Sequence, residues 1–304
     1  MKILSLLPSA TEIVYALGLE DELVGVTCEC DFPPEAAAKP VVSRTVMPIE
    51  GDVPPAEIDR LVAEQVADGA PLYEIDADAV ARTQPDLILA QDLCRVCAVP
   101  SGQVEDALSV IGCRADVLSL DPLTLDEILD GIVEVGRRTG RDEEARELVA
   151  GLRARVAAVD TATRGRARPR TMTLEWLDPP FVGGHWVPDM VERAGGLVLA
   201  AESGQPSRRL DWDEVAAARP EVIVFIPCGY GLTQALEQGR QLLGVPEVAN
   251  SPAGRAGRVF AADASSYFSR PGPRIVTGLE ALAWALHPDA VPGPPSGTMT
   301  VVAR

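Results

Sequence analysis

The chain has 304 residues, of which 47% are hydrophobic and 24% charged, as in a globular protein large enough for two cores of ordinary domain size. Its formal net charge of −18 argues against a nucleic-acid partner, because phosphate binding requires clustered Lys and Arg and no such cluster stands out. No apolar run approaches the roughly 18 residues that would suggest a membrane span, so membrane insertion is not expected.

Strands and helices alternate in the first part of the chain, residues 1–122, which we expect to form an N-terminal α/β lobe. The predicted strands are residues 3–7, 23–26 and 87–90, and a helix is predicted at 11–17. Residues 28–71 are rich in Pro and acidic residues and are expected to be a long irregular region.

The N-terminal segment does not have the pattern of a secretory signal. Its apolar stretch is broken at Pro8 and acquires a charge at Glu12. A cytoplasmic protein is therefore expected, with cysteines that are mostly reduced.

The rest of the chain predicts a helical connector, a second lobe and a tail. Apolar residues recur at helical spacing in 123–162, which is one long helix or a helix pair broken at Gly140. Residues 163–287 predict a second α/β lobe, with strands at 171–175 and 222–226 and helices at 187–194 and 274–286. The tail, 288–304, is rich in Pro, Gly and Ser and is expected to be flexible.

Two twelve-residue segments repeat each other, one in each predicted lobe. Residues 78–89 read DAVARTQPDLIL and residues 213–224 read DEVAAARPEVIV, with identical residues at five positions. Each copy contains a helical turn, a proline that stops the helix, an acidic residue and a short apolar run typical of a buried parallel strand. The repeat predicts two similar α/β lobes, with a cleft between them.

Several motifs together resemble those of the ABC-transporter periplasmic binding proteins for cobalamin, haem and iron-siderophores. They are the opening LLPSATEIVYALGL, the following CDFPP, the two repeated units, the helical connector and PDMVERAGG. The resemblance covers about residues 1–287 and is closest to the cobalamin-binding branch. It implies two Rossmann-like lobes joined by a long backbone helix, and non-catalytic binding of a cobalamin-like or other tetrapyrrole or metal-chelate ligand in the cleft between the lobes.

The resemblance also implies a transport partner. Family members dock onto an ABC permease through an acidic residue, generally Glu, at the tip of each lobe. The matching positions in this sequence are Asp78 and Asp213, seven residues before the proline of each repeated unit.

Ligands of such folds bind at the C-terminal ends of the parallel strands. Aromatic residues make up only 4% of the chain, yet they are concentrated in the loops predicted there, which suits a flat macrocycle such as a corrin or porphyrin. Packing of the lobe against the connector is the alternative explanation for some of them. The predicted ligand-binding residues are Ser9, Thr11, Asp31, Phe32, Trp176, Phe181, His185, Trp186, Tyr230, Tyr267 and Phe268.

Four of the six cysteines form two close pairs, Cys28 with Cys30 and Cys94 with Cys97. Both pairs follow predicted strands of the first lobe, so four thiolates converging on zinc or an iron-sulfur cluster are one interpretation. A redox-active or disulfide pair and ordinary buried thiols are the others. The remaining two, Cys113 and Cys228, are expected in the core.

His185 lies in the sequence GGHW and has two interpretations. It is a candidate axial ligand to cobalt or iron, or a cap for the helix that follows.

No catalytic motif of a known type is present, so we expect a binding protein rather than an enzyme. The competing hypothesis is a cytoplasmic metalloprotein or enzyme on the same scaffold that uses the Cys-rich site.

Overall fold

The structure is a computed structural model, which describes residues 1–47, 53–68, 70–93, 102, 104 and 114–303. The chain divides into two compact units, and each has its own β-sheet. Unit 1 comprises Met1–Pro122 and Leu129–Val149, and unit 2 comprises Leu123–Ile128 and Ala150–Arg304. The predicted two-lobed α/β architecture is confirmed, while the cleft expected between the lobes stays a prediction.

Unit 1 is built on a six-stranded, mostly parallel sheet. Its strands are β1 (Ile3–Ser5), β2 (Leu23–Thr27), β3 (Val41–Thr45), β4 (Tyr73–Ile75), β5 (Leu87–Ala90) and β6 (Asp116–Ser119). They are ordered β4-β3-β2-β1-β5-β6, with β4 antiparallel to β3 and the other pairs parallel. Every residue of β1 and β5 is buried, as expected at the centre of a parallel sheet.

The described helices of the first half of the chain are α1 (Pro8–Ala16), α2 (Pro55–Ala67), α3 (Ala77–Thr83), α4 (Leu125–Thr139) and α5 (Asp142–Thr163). The predicted helical connector is thus a helix pair, α4 and α5. The turn between them contains Gly140, whose φ of +72° favours glycine. Glycine is also needed at position 136, because a Cβ there would collide with the Cβ of Ala145 in α5.

Unit 2 is built on a seven-stranded sheet. Its strands are β7 (Arg170–Leu177), β8 (Pro180–Val182), β9 (Leu197–Val198), β10 (Arg208–Arg209), β11 (Val222–Phe225), β12 (Val259–Ala262) and β13 (Met299–Val301). The order is β10-β8-β7-β11-β12-β13, and β9 also pairs with β7. The central strands β7, β11 and β12 are parallel to one another.

The remaining described helices all belong to unit 2. They are α6 (Val187–Arg193), α7 (Trp212–Ala218), α8 (Leu232–Gly244), α9 (Pro246–Ala249), α10 (Pro252–Ala256), α11 (Ala264–Tyr267) and α12 (Ile275–Leu286). The apolar face of α12 packs into the interior, since nine of its residues are buried. Among the described residues, no helix combines the length and the apolar character that crossing a bilayer requires.

The repeated segments have the same local structure in both units. The first copy is α3 followed by β5, and the second is α7 followed by β11. Each helix ends at a residue in the left-handed conformation, Gln84 (φ +50°) or Arg219 (φ +48°), directly before the shared proline. The two copies lie in different sheets, as the repeat predicted.

The acidic residue after each proline joins two neighbouring strands. In unit 1, Asp86 donates its backbone N–H to the carbonyl of Lys2 (2.8 Å) and accepts the N–H of Lys2 on its carboxylate (2.7 Å). In unit 2, Glu221 makes the same two bonds with Arg170, both of 2.8 Å. The carboxylate thus fixes β5 beside β1 and β11 beside β7 at the point where each pair begins.

The prediction of an irregular region at residues 28–71 is wrong. This segment contains β3, which pairs with β2, a short 3-10 helix at Pro34–Ala38, and α2. Its prolines start helices rather than exclude them, because Pro55 occupies the first position of α2, where an N–H would have no intrahelical partner. Its apolar residues recur at helical spacing from Ile58 to Val66, although none of them is fully buried.

The prediction of a flexible tail at residues 288–304 is also wrong for its last part. There β13 runs antiparallel to β12, and the side chain of Val302 is only 4% exposed in the core of unit 2. The Pro- and Gly-rich residues before β13 therefore lead into an edge strand that completes the sheet.

Ile88 and Ile223 occupy equivalent positions of the two copies, and both are fully buried. Replacing either with Ala should lower the free energy of unfolding by about 2–5 kcal/mol, because the change removes apolar burial and leaves a cavity. Hydrogen exchange should accelerate mainly in the sheet that contains the substitution. The exposed Arg82→Ala on α3 is the control, and equal acceleration in both sheets would contradict two separate cores.

Candidate functional site

The parallel strands of each sheet end at one edge, where α/β proteins place their ligand-binding loops. In unit 1 these loops follow β1, β2 and β5, and in unit 2 they follow β7, β11 and β12. Most of the ligand-binding residues predicted from the sequence lie in these loops or in the elements directly next to them, whereas His185 and Trp186 follow β8, which is antiparallel to β7. The side chains of the predicted residues differ in exposure, so some of these residues belong to the surface of their unit and others to its core.

The loop after β2 presents an apolar surface in unit 1. Asp31 and Phe32 are both exposed, and the large side chain of Phe32 is 40% exposed. The loop is fixed at its base, since the N–H of Cys28 donates to the carbonyl of Ser43 in β3 (3.0 Å). Val46, which follows β3, is also an exposed apolar residue of this unit. Val46 is not among the residues predicted from the sequence, because β3 is not predicted there.

Ser9 and Thr11 do not present their side chains as predicted. Both are buried in α1, directly after β1. The hydroxyl of Thr11 donates to Ser5 Oγ (2.9 Å) and lies 3.0 Å from the sulfur of Cys30. Their assignment to a ligand-contacting surface is corrected, because the first turns of this helix pack inward.

Three aromatic side chains come together at the strand ends of unit 2. The rings of Trp176 and Tyr230 are stacked, with centroids 5.9 Å apart and an angle of 20° between planes. Phe181 in β8 is the cross-strand partner of Trp176. All three residues are half-buried. They form an aromatic surface, here called the Trp176 surface, which consists of Trp176, Phe181 and Tyr230.

Trp186 and Phe268 belong to the core of unit 2 rather than to a surface. Trp186 is 6% exposed, and its indole N–H donates to the backbone carbonyl of Phe268 (2.8 Å). Phe268 is among the most deeply buried side chains. The prediction that these two residues face a ligand is corrected, because the only polar group of the tryptophan is already satisfied internally.

His185 lies in the loop between β8 and α6 with φ +53°, a conformation that few residues other than glycine adopt. Backbone bonds hold it there: its N–H donates to Gln205 (2.6 Å) and its carbonyl accepts from Gly204 (3.0 Å). Burial lowers the pKa of its imidazole, which favours the neutral form that binds metals. The N-cap residue of α6 is Trp186, without a side-chain capping bond, so the capping interpretation is not supported.

Arginine side chains flank the loop after β12. The guanidinium of Arg274 lies 5.6 Å from the ring centroid of Tyr267, a cation–π contact, and both residues are half-buried. Arg270 is half-buried in the same loop. Tyr267 is among the residues predicted from the sequence, whereas the two arginines are not, although SRPGPR places them close to it.

The predicted Cys-rich metal site is not supported. Cys28 is exposed whereas Cys30 is buried, and Cys94, Cys97 and Cys113 lie outside the described residues. Within the described part of the chain, no group of three or more His, Cys, Asp or Glu side chains is arranged to hold a metal ion.

Cys228 was expected in the core, and that expectation is wrong. The residue is exposed in the loop after β11, where its N–H donates to Glu175 of β7 (3.2 Å). The residues of β11 are all buried, but Cys228 lies beyond the end of the strand, where the chain reaches the surface.

Asp78 and Asp213 occupy the same place in the two repeated units. Each is the second residue of its helix, α3 or α7, and each is exposed. A carboxylate in the first turn is favoured by the helix dipole, which is a structural reason for acidic residues at both positions. Their exposure also leaves them accessible to a partner.

A family model described as periplasmic binding protein matches residues 3–265 of this chain. The vitamin B12-binding protein of Vibrio cholerae serotype O1 is 25% identical over 226 residues, which cover 73% of this chain and 69% of that protein. The cobalamin-binding protein of Halobacterium salinarum is 25% identical over 293 residues, which cover 94% of this chain and 69% of that protein.

Solved structures share the fold. The periplasmic haem-binding protein RhuT from Roseiflexus sp. RS-1 in apo form has a TM-score of 0.71 and 24% identity, covering 95% of this chain and 98% of that one. The periplasmic vitamin B12 binding protein BtuF of Vibrio cholerae has a TM-score of 0.69 and 24% identity, covering 94% of this chain and 96% of that one. The two-unit architecture is therefore that of known periplasmic solute-binding proteins.

The expectation of a cytoplasmic protein is wrong. The matching family is one of periplasmic binding proteins, and the similar solved structures are periplasmic as well. The expectation came from the interruptions at Pro8 and Glu12. In the structure both residues are buried parts of α1, so the pattern reflects packing in unit 1 and does not indicate a compartment.

The lowered pKa of His185 predicts a stability effect at acidic pH. The unfolded chain protonates this imidazole near its ordinary pKa of 6.5, whereas burial opposes protonation in the folded protein. The unfolded state then binds more protons, so stability is retained above that pH and decreases as pH falls below it. His185→Gln should therefore lose less of its urea midpoint than the wild type between about pH 8 and about pH 5.5. Equal losses would contradict a buried, neutral His185.

Proposed function

Because this chain belongs to the periplasmic binding protein family, we propose that it binds a cobalamin-like ligand and delivers it to an ABC permease. Members of this family are non-catalytic components of transport, so the chain is a binding protein rather than an enzyme. The rival hypothesis of a metalloprotein or enzyme with a Cys-rich site is not favoured. The observation that carries the proposal is the Trp176 surface at the strand ends of unit 2.

The Trp176 surface has the chemistry that a corrin needs. Stacked aromatic rings offer a flat apolar area, and their half-buried state leaves part of each side chain accessible. A macrocycle placed against such an area removes apolar surface on both sides from water, which is the main source of affinity for flat ligands. Phe32 supplies exposed apolar area at the corresponding edge of unit 1.

Two observations favour cobalamin over haem. The curated relatives named above are vitamin B12- and cobalamin-binding proteins. The formal net charge of −18 also opposes the approach of haem, which carries two carboxylates, more than that of cobalamin, which lacks free carboxylates.

His185 is our candidate for an axial ligand to the cobalt of the bound corrin. Its backbone is held in the left-handed conformation by two hydrogen bonds, and burial keeps its imidazole neutral at pH 7. A neutral imidazole nitrogen is a suitable ligand for cobalt.

The permease contact would involve Asp78 and Asp213. These carboxylates are exposed at equivalent positions of the two repeated units, so a permease with two similar basic sites could recognise both.

The proposed ligand is tested by titrating the protein with hydroxocobalamin, haem and a ferric siderophore, each followed by calorimetry. We expect saturable one-to-one binding of hydroxocobalamin, tighter than that of haem. A change in the visible spectrum of the cobalt that is absent from His185→Ala would support axial ligation. Tighter binding of haem or of the siderophore would overturn the choice of cobalamin within the same fold.

The Trp176 surface predicts a specific loss of affinity. Trp176→Ala and Tyr230→Ala should each weaken hydroxocobalamin binding by about 1–3 kcal/mol, the scale for losing a large apolar contact. Trp284→Ala is the matched control, because this half-buried tryptophan packs edge-on against Phe260 instead. Trp186→Ala should mainly lower stability, since its side chain is internal. Wild-type affinity in both surface variants would contradict the assignment.

Docking is predicted to depend on the two aspartates and not on acidic charge in general. Asp78→Lys and Asp213→Lys should each reduce protein-dependent cobalamin uptake into native membrane vesicles at least about tenfold, through charge repulsion at the permease, without changing ligand affinity. Glu143→Lys is the matched control, because Glu143 is likewise an exposed second residue of a helix, α5. Undiminished uptake with both aspartate variants would exclude this docking mode.

A further inference from the structure

A chain of side-chain hydrogen bonds runs through the interior of unit 1. Ser5 Oγ donates to the backbone carbonyl of Leu7 (2.9 Å), and Thr11 Oγ1 donates to Ser5 Oγ (2.9 Å). The sulfur of Cys30 lies 3.0 Å from Thr11 Oγ1. The residues of this chain are all buried, so water does not compete for these contacts.

The number of available protons determines which group donates in each of these three contacts. A carbonyl oxygen only accepts, so the single hydroxyl proton of Ser5 is used on Leu7. Thr11 must therefore supply the proton of its bond to Ser5, and it has none left for the sulfur. The remaining contact forms only if Cys30 donates, which requires a protonated thiol rather than a thiolate.

The chain joins three elements at the edge where the ligand loops lie. Ser5 ends β1, Thr11 belongs to α1, and Cys30 lies in the loop after β2. The backbone N–H of Cys30 also donates to Thr27 at the end of β2 (3.1 Å). The next residue pair in the loop is Asp31 and Phe32, both exposed. A buried anchor thus directly precedes the exposed residues of the loop.

We propose that Cys30 is a positioning residue: its protonated thiol holds the loop after β2 so that Phe32 is fixed against the bound ligand. The binding part of this inference rests on the proposed function, while the protonation of Cys30 stands on the geometry alone. It also assigns different roles to the two cysteines of the close pair, since Cys28 is exposed and Cys30 is an internal donor.

The test compares variants that keep or remove the donor. Cys30→Ser retains a donor, Cys30→Ala removes it, and Thr11→Val removes the hydroxyl that Cys30 contacts at nearly the same shape. Cys28→Ala is the control at the exposed neighbour. Hydroxocobalamin affinity should fall about tenfold in Cys30→Ala and Thr11→Val, and stay within about threefold of wild type in Cys30→Ser and Cys28→Ala.

A second measurement follows the loop itself. Hydrogen exchange at residues 28–32 should be faster in Cys30→Ala and Thr11→Val than in the wild type, and unchanged in Cys30→Ser. Wild-type affinity and exchange in Cys30→Ala would overturn the positioning role. A Cys30→Ser protein with the reduced affinity and faster exchange of Cys30→Ala would also overturn it, because restoring a donor would then not restore the position of the loop.

The internal position of the Cys30 thiol, which its role as a donor to Thr11 requires, is tested without any ligand. Native protein is treated with iodoacetamide, and each modified cysteine is identified by peptide mapping. Cys28 and Cys228 should react rapidly, whereas Cys30 should react only as the protein unfolds. Alkylation of Cys30 as fast as Cys28 would overturn the assignment. If the wild type binds none of the three ligands, the proposed function fails, and exchange and alkylation still decide the role of Cys30.

Discussion

The reciprocal hydrogen bonds of Asp86 with Lys2 and of Glu221 with Arg170 set the frame on which each unit is built. They pair the strand of each repeated segment with the first strand of its own sheet. Parallel pairing in that register places the C-terminal ends of β1 and β5 side by side, and likewise those of β7 and β11. The positions of the loops after β1, β5, β7 and β11 follow from these two pairings.

The two units have different side chains at the edge where their parallel strands end. Unit 2 places stacked aromatic rings there, held by the ends of β7 and β11. Unit 1 places a short loop there, in which Cys30 is buried while Asp31 and Phe32 are exposed. At this edge unit 2 therefore carries half-buried aromatic rings, whereas unit 1 carries exposed apolar side chains.

The architecture could be predicted from the sequence because the repeated segment indicates the same α/β step in each of two sheets. A helix stopped by proline and followed by an apolar run has few alternatives to an α/β step, and both copies form it. The sequence could not separate Tyr230 from Trp186, since both are aromatic residues in loops after strands. What distinguishes them is the indole bond of Trp186 to the carbonyl of Phe268, a contact between residues far apart in the chain.

Other features were missed for related reasons. α2 has apolar residues at helical spacing, such as Ile58, Leu61 and Val62, but it lies in a segment whose proline and acidic content predicted an irregular region. β13 is short and follows Pro and Gly, and only its pairing with β12 shows that it is a strand. Ser9 and Thr11 are small polar residues, which sequence reasoning assigned to a surface although the hydroxyl of Thr11 is satisfied by its neighbours in the core.

The left-handed backbone conformation of His185 lowers the stability of this loop. A residue with a Cβ is less stable than glycine in that conformation, by an amount on the order of 1 kcal/mol. The two residues before it, Gly183 and Gly184, are glycines, and a third at position 185 would relieve the strain and leave the backbone bonds intact. A protein optimised only for thermal resistance would have glycine here, and this chain instead retains an imidazole.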